Sequence, residues 1–379
     1  MSHAAHLHWT ENDQPRTALW QSENHWPAPR RLALADDVMT ADQALRFASE
    51  GTGLLWQGDF QNARQLLLAM DRRISRRKLL HKPDTPFPER FHLVRQARSQ
   101  RARSLGMLLI PVQAGHRIPL RRAPDVATAC QEAYGDCNQG YVVPLTELLG
   151  VISAHEWRKK GVTVPGLRDR IHAHYGVFAP VRGEYLQLLQ DAPLPADRSL
   201  AIDLGTGTGV LTAMLIARGF QRVIATDANP RALVCAQDNL TRLGMSSQAT
   251  LIESTEIPDE KASLIVVNPP WLPGKPTTLL EQAIYDPSSQ MLKSVLFQAG
   301  SRLRPGGEVW LILSDLAERL RLRSREDLLA WIQAGGLIVI EQRDTRPQHP
   351  KSKDPSDPLA EARQGEVTSL WRLGLGADR

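Results

Sequence analysis

From Ser199 onward, short apolar runs alternate with longer amphipathic ones, and this alternation constrains the fold more than any other feature of the chain. Residues 200–204 read as a strand and 210–217 as a helix. Residues 222–226 read as a second strand. A helix over 230–243 follows, opened by Asn229 as cap and Pro230 at the first helical position. Strands are expected at 249–252 and 264–267, then a mostly helical stretch at 277–303 and a turn at Arg304-Pro305-Gly306-Gly307. A strand at 308–313 and a helix at 326–334 come next. Two strands, 337–343 and 368–373, close the pattern with no helix between them. Their connection holds Pro347, Pro350, Pro355 and Pro358 and reads as a long, exposed loop. Alternating strand and helix implies a parallel sheet covered on both faces; the closing pair implies an antiparallel edge.

Two loops in this half carry chemistry. Asp203-Leu204-Gly205-Thr206-Gly207-Thr208-Gly209 joins the first strand to the first helix. Its glycines allow a tight turn and let a ligand approach the peptide groups. A dinucleotide fingerprint would place its third glycine at 210, which is Val210, so a pyrophosphate loop is disfavoured. Asp227 ends the second strand, where a carboxylate can accept both hydroxyl hydrogen bonds of a ribose. The second loop, Asn268-Pro269-Pro270-Trp271, directly follows Leu264-Ile265-Val266-Val267. Carboxyl ends of sheet strands line the ligand crevice. The two prolines stiffen the turn, and Asn268 and the Pro269 carbonyl offer two fixed acceptors. Two acceptors suit an –NH₂ group, whose lone pair can then face an electrophilic methyl. Trp271 supplies a flat face for stacking. This is catalysis by positioning.

Taken together, Asp203 to Gly209, Asp227 and Asn268 to Trp271 resemble the class I S-adenosylmethionine-dependent methyltransferases of the Asn-Pro-Pro-aromatic subgroup, including uncharacterised bacterial "small" methyltransferases. The resemblance runs from about Ile171 to the C-terminus. It implies an α/β fold with a Rossmann-like seven-stranded sheet whose last strand is antiparallel. It implies S-adenosylmethionine as cofactor, with Asp203, Gly205, Thr206, Gly207 and Gly209 at its methionine end. Asp227 and Ala228 would lie at the ribose, and Asn268 near the sulfonium. Where relatives carry an Asp for the adenine amino group, this chain has Thr255. The stretch Tyr175 to Gly183 resembles a segment that covers the cofactor, which places Phe178 and Arg182 near the site. The subgroup acts on planar nitrogen: exocyclic amines of nucleobases, or the side-chain amide of glutamine. Asn268, Pro269, Pro270 and Trp271 are thus the expected catalytic residues.

The N-terminal half differs in texture. Trp9, Trp20 and Trp26 sit among prolines and polar residues, so residues 1–38 read as an irregular arm. Residues 39–165 read as a mainly helical domain, and 166–379 as the methyltransferase domain. Thr40-Ala41-Asp42-Gln43 resembles a capping box. Helices are expected at 62–70, 89–105 and 145–157, and a short strand at Leu108-Leu109-Ile110. From Phe60 to Asp125 there are 15 Lys/Arg against 4 Asp/Glu, a local charge of +11, while the rest of the chain is at −6. That asymmetry points to a polyanionic partner. The expected substrate is therefore nucleic acid, RNA before DNA, held at its phosphates by Arg90, Arg95, Arg98, Arg101 and Arg103. Tyr285, shortly after the catalytic turn, is a candidate for a substrate lid.

Rival readings remain: glutamine methylation of a translation factor or ribosomal protein, a noncatalytic RNA-binding assembly factor and, more distantly, a nicotinamide-dependent oxidoreductase. Three scattered cysteines make neither a disulfide framework nor a zinc site, and His6-x-His8 and His172-x-His174 lack companion ligands. No metal and no membrane contact is expected. The N-terminus lacks a secretory pattern, so the expected compartment is the cytoplasm.

Overall fold

The computed structural model describes residues 5–76, 85–181, 183–347 and 357–376. The chain divides into two compact units, Met1–Thr85 with His92–Glu156, and Pro86–Phe91 with Trp157–Arg379.

The first unit holds the expected helices α1 (Ala41–Ser49) and α2 (Phe60–Arg76), the helix α4 (Ala127–Tyr134), and the greater part of the expected α3 (Phe87–Leu105) and α5 (Leu145–Lys160), whose Phe87–Phe91 and Trp157–Lys160 ends belong to the second unit. The Thr40 capping box forms, with Gln43 N–H donating to Thr40 Oγ1 and Thr40 N–H to Gln43 Oε1. These helices are organised by a six-stranded sheet of which the sequence reading anticipated only the strand at Leu108-Leu109-Ile110. Its strands are β1 (His6–Glu11), β2 (Gln14–Trp20), β3 (Arg31–Ala35), β4 (Thr52–Trp56), β5 (Leu108–Val112) and β6 (Tyr141–Pro144), in the order β1-β2-β6-β5-β4-β3. The arm expected to be irregular therefore supplies three strands. Its tryptophans do pack inward: Trp9 and Trp20 lie against the cluster of Leu7, Leu55, Leu109 and Val142. β4 and β6 were hidden because five and four residues, all buried, leave no alternation to read.

The second unit matches the expected fold. β7 (Leu200–Leu204), α7 (Val210–Ala217), β8 (Arg222–Asp227), α8 (Pro230–Arg242), β9 (Ala249–Glu253), β10 (Ala262–Val267), α9 (Gln290–Ala299), β11 (Leu303–Ser314), α11 (Arg325–Ala334), β12 (Leu337–Thr345) and β13 (Thr368–Leu375) follow one another. Short helices α6 (Glu184–Asp191), α10 (Leu316–Arg319) and α12 (Ala360–Gln364) fill connections. The order is β12-β13-β11-β10-β7-β8-β9; β13 runs antiparallel to both β11 and β12, and the other pairings are parallel. This is the seven-stranded arrangement, with its reversed strand, that the resemblance implies. Ala201, Leu264, Val266, Trp310 and Ile312 face one apolar core with α6 and α7. Leu200, Ile202, Leu204, Ile265, Val267, Val309 and Leu311 face the other, with α9 and α11. Burial on both faces is why these strands read as continuous apolar runs.

Two expectations at 277–307 need correction. Helix begins only at Gln290, because residues 272–289 form a folded loop with single turns at Leu280–Ala283 and Pro287–Ser289. The expected turn at 304–307 lies inside β11 as a bulge: the β10 register jumps from Ala262 opposite Leu303 to Leu264 opposite Glu308. Much of the expected proline-rich loop, with Pro350 and Pro355, lies outside the described residues.

Candidate active site

Strand register assembles the site. Leu204 of β7 stands opposite Thr226 of β8 on one side and Val267 of β10 on the other. The next residues along the three strands are Gly205, Asp227 and Asn268. They therefore form one row at the carboxyl edge of the sheet, where ligands of such sheets bind.

Asp203 is fully buried. Its Oδ2 accepts from Thr206 Oγ1 at 2.7 Å, Thr212 Oγ1 at 2.7 Å and the Thr212 amide at 3.1 Å. These bonds tie the strand end to both the glycine loop and the start of α7. Its Oδ1 is sealed from solvent and has no hydrogen-bond partner. Burial pushes this carboxyl up to about 6, against the three donors that favour the charged form. A buried acceptor without a donor needs an explanation.

Beyond Asp203 the loop is shaped by backbone geometry. The Gly205 and Thr206 amides both donate to the Thr226 carbonyl. Gly209 has φ +78°, and a side chain there would begin 3.1 Å from Ala236 of α8. Only glycine meets both conditions without strain. Asp227 accepts from the Gly207 amide on Oδ2 and from the Asn229 amide on Oδ1, each at 2.9 Å. Burial raises its carboxyl as well. The Met291 methyl lies over Gly205, 3.4 Å from where a side chain would start. α9 is capped by Asp286, whose two oxygens accept from the Met291 and Leu292 amides.

In the Asn268–Trp271 turn, Asn268, Pro270 and Trp271 are half-buried and Pro269 is buried. Trp271 packs against both apolar cores. Its indole Nε1–H donates to Asn268 Oδ1 at 2.9 Å. The loop beyond is fastened by the Leu272 amide to the Ile284 carbonyl and the Asp286 amide to the Leu272 carbonyl.

Residues 170–321 match the family model of the methyltransferase small domain. A release factor glutamine methyltransferase of Gloeobacter violaceus is 31% identical over 122 residues, 28% of this chain and 42% of that protein. A ribosomal protein L11 methyltransferase of Symbiobacterium thermophilum is 29% identical over 147 residues, 39% of this chain and 41% of that protein. The chain thus spans less than half the length of these two relatives. A solved ribosomal protein L11 methylase of Lactobacillus delbrueckii subsp. bulgaricus is 17% identical, with a TM-score of 0.38, covering 57% of this chain and 92% of that one.

Within the second unit, several expected residues take defined places. The segment over the expected cofactor position is stitched to α8. Val177 packs on Ala232 and Cys235, and the Asn239 amide group bridges the Thr208 carbonyl, the His172 carbonyl and the His172 amide. Leu279 of the folded loop reaches Gly176. Phe178 is exposed on this segment, and Arg182 lies outside the described residues. Ala228 and Thr255 are exposed beyond the ends of β8 and β9. Tyr285 is buried edge-on to Phe91, a packing position. His174 Nε2 lies 3.0 Å from Asp238 Oδ2. Among the described residues no three His, Cys, Asp or Glu side chains converge on a metal position, and no helix is long and apolar enough to cross a membrane.

The arginines of α3 do not make one stripe. At about 100° per residue, Arg90, Arg95, Arg98, Arg101 and Arg103 spread over roughly 220° of the helix. Arg101 grips Asp71 through two nitrogens at 2.5 and 2.7 Å, and Arg90 stacks on Phe87. Elsewhere in the basic segment Arg73 pairs with Asp42, and Arg121 and Arg122 with the buried Asp59. Sequence reasoning missed Thr212 and Asn239. Each is a polar residue on the buried face of its helix, and that misplacement is the signal that marks them.

Proposed function

We propose that this protein is an S-adenosylmethionine-dependent N-methyltransferase acting on a planar amide or amino nitrogen of a protein, with the side-chain amide of glutamine as the leading acceptor. The observation that carries the reading is the row of Gly205, Asp227 and Asn268 at one sheet edge, with a rigid Pro-Pro turn following Asn268. The residues fit the cofactor. Asp203 Oδ1 is a buried carboxylate oxygen lacking a donor, which an ammonium group would satisfy. A side chain at Gly207 would meet only open space, so the loop leaves room for a ligand there, and Asp227 is fixed by two backbone amides with acceptor capacity to spare.

S-adenosylmethionine supplies an electrophilic methyl when bound. Asn268 and the Pro269 carbonyl would hold the two hydrogens of the acceptor –NH₂, turning its lone pair out of conjugation and toward that methyl. Holding a reactant in this way is worth several powers of ten in rate without a charged base. The proton released on N-methylation leaves to solvent.

The charge of the first half made RNA the leading substrate by sequence. The relatives support the protein reading instead, since both are named for protein substrates. The ion pairs in the basic segment reduce the cationic surface on which the RNA reading rests. The test is mass spectrometry of peptides and nucleosides from cells with and without the gene. A methyl missing from a glutamine or other planar protein nitrogen is the expected result. A methyl missing from a nucleoside, with peptides unchanged, transfers the substrate to nucleic acid. Failure to bind S-adenosylmethionine in calorimetry overturns the enzyme altogether.

A further inference from the structure

The aromatic residue closing the catalytic turn is read from sequence as a stacking platform, a role for which any flat ring would serve. The structure shows something a phenyl ring in the same place lacks. The Trp271 indole N–H donates to Asn268 Oδ1 at 2.9 Å across the three-residue span of the turn. We infer that Trp271 is a positioning residue that orients the Asn268 carboxamide for catalysis, an inference resting on the methyltransferase reading above.

The orientation originates in the core. Trp271 is half-buried and touches both apolar clusters, including the one built by Leu204, Val267 and Leu292. Its ring is therefore held by sheet packing, and its N–H points in a fixed direction. A carboxamide has two faces of opposite character: an oxygen that only accepts and an NH₂ that only donates. With the oxygen toward Trp271 the pair forms a hydrogen bond. With the amide flipped, two donors face each other and one half-buried N–H loses its partner, which is unfavourable. Trp271 thus sets which end of Asn268 is the acceptor at this edge. It uses one of the two lone pairs on Oδ1 and leaves the second for one hydrogen of an incoming –NH₂. The Pro269 carbonyl takes the other. Without the indole N–H, an Asn268 free to rotate would present its own NH₂ to the substrate for part of the time, a misalignment that raises no binding barrier but lowers the reactive fraction.

Two measurements test this. In the first, the Nε1–H resonance of Trp271 in ¹⁵N-labelled full-length protein is assigned by its loss in Trp271→Phe. It is expected to be downfield-shifted and protected from solvent exchange, and to lose both features in Asn268→Ala. A resonance unchanged by Asn268→Ala overturns the inference. The second uses the acceptor found by mass spectrometry. Trp271→Phe keeps a stacking ring and is expected to lower kcat about ten- to a hundredfold, with KM and cofactor affinity changed less than about threefold. In the Asn268→Ala background the same substitution is expected to cost nothing further, since both act through one carboxamide. A Trp271→Phe enzyme with wild-type kcat, or additive losses in the double variant, refutes the positioning role. A wild-type enzyme that transfers no methyl refutes the function proposed above and leaves the resonance test standing.

Discussion

Replacing Asp203 by Asn should make the cofactor-free protein more stable at neutral pH and a poorer binder of its cofactor. The buried carboxyl is raised from 3.8 to about 6 by desolvation. A raised carboxyl pKa means that the folded state holds its proton more tightly than the unfolded chain does. The resulting stabilisation is complete below the unfolded value near 4 and is lost as pH rises through about 6. A shift of this size corresponds to roughly 3 kcal/mol that the free protein gives up between those pH values. The carboxamide of Asp203→Asn would carry no charge to desolvate, and its oxygen can still accept from Thr206 and Thr212. The variant should therefore melt a few degrees higher than wild type at pH 7.5 and lose the advantage near pH 4. The missing charge should also weaken a bond to the cofactor ammonium by about 1.5–3 kcal/mol, or ten- to a hundredfold or more in Kd. Differential scanning fluorimetry from pH 4 to 8 reads the first effect, and calorimetry with S-adenosylhomocysteine the second. An Asp203→Asn variant that melts lower than wild type at pH 7.5 would refute the desolvation argument, and one that binds the cofactor as tightly would show that the Asp203 Oδ1 oxygen does not face its cation.

Three further outcomes follow from the same geometry. Asn268→Ala is expected to reduce turnover at least a hundredfold while changing cofactor affinity less than about threefold, since it removes an acceptor aimed at the substrate; near-normal turnover in single-turnover assays would remove it from the mechanism. Gly209→Ala should destabilise the domain by about 1–3 kcal/mol and weaken cofactor binding, because the residue sits at φ +78° and its new methyl would begin 3.1 Å from Ala236; urea denaturation with an unchanged midpoint would contradict this. Asn239→Ala leaves the Thr208 and His172 carbonyls without their shared donor. Faster hydrogen exchange at residues 172–178 is expected, with a stability loss of about 1–3 kcal/mol; unaltered exchange there would show that Asn239 does not fasten the segment.

The parts of this site that the sequence displayed are those encoded within a few consecutive residues. The glycine turn, the Asn229 cap and the Pro-Pro elbow each act within one local span, so their spacing alone predicts their shape. What stayed hidden depends on partners far apart in sequence or on directions of side chains. The first-unit sheet joins β2 to β6 across more than a hundred residues of chain, and its short buried strands carry no alternation. Asn239 meets Thr208 only because α8 packs beside the glycine loop. Even inside the Asn268–Trp271 turn, the spacing shows Trp271 as a flat surface and conceals its bond to Asn268, because a rotamer is fixed by the core and not by the motif. The same distinction explains the substrate. On the proposed function, Asn268 and Pro269 would select a trigonal nitrogen bearing two hydrogens, a condition met equally by a glutamine side chain and by an exocyclic base amine. The charge of the first half looked like the missing discriminator. Its arginines spread around α3 and in part pair with carboxylates of the same unit, so a count of charges overstates the field any polyanion would meet. On that reading, the identity of the acceptor would be set by the surface that delivers its nitrogen to the elbow, because two hydrogen-bond acceptors alone cannot distinguish what the nitrogen is attached to.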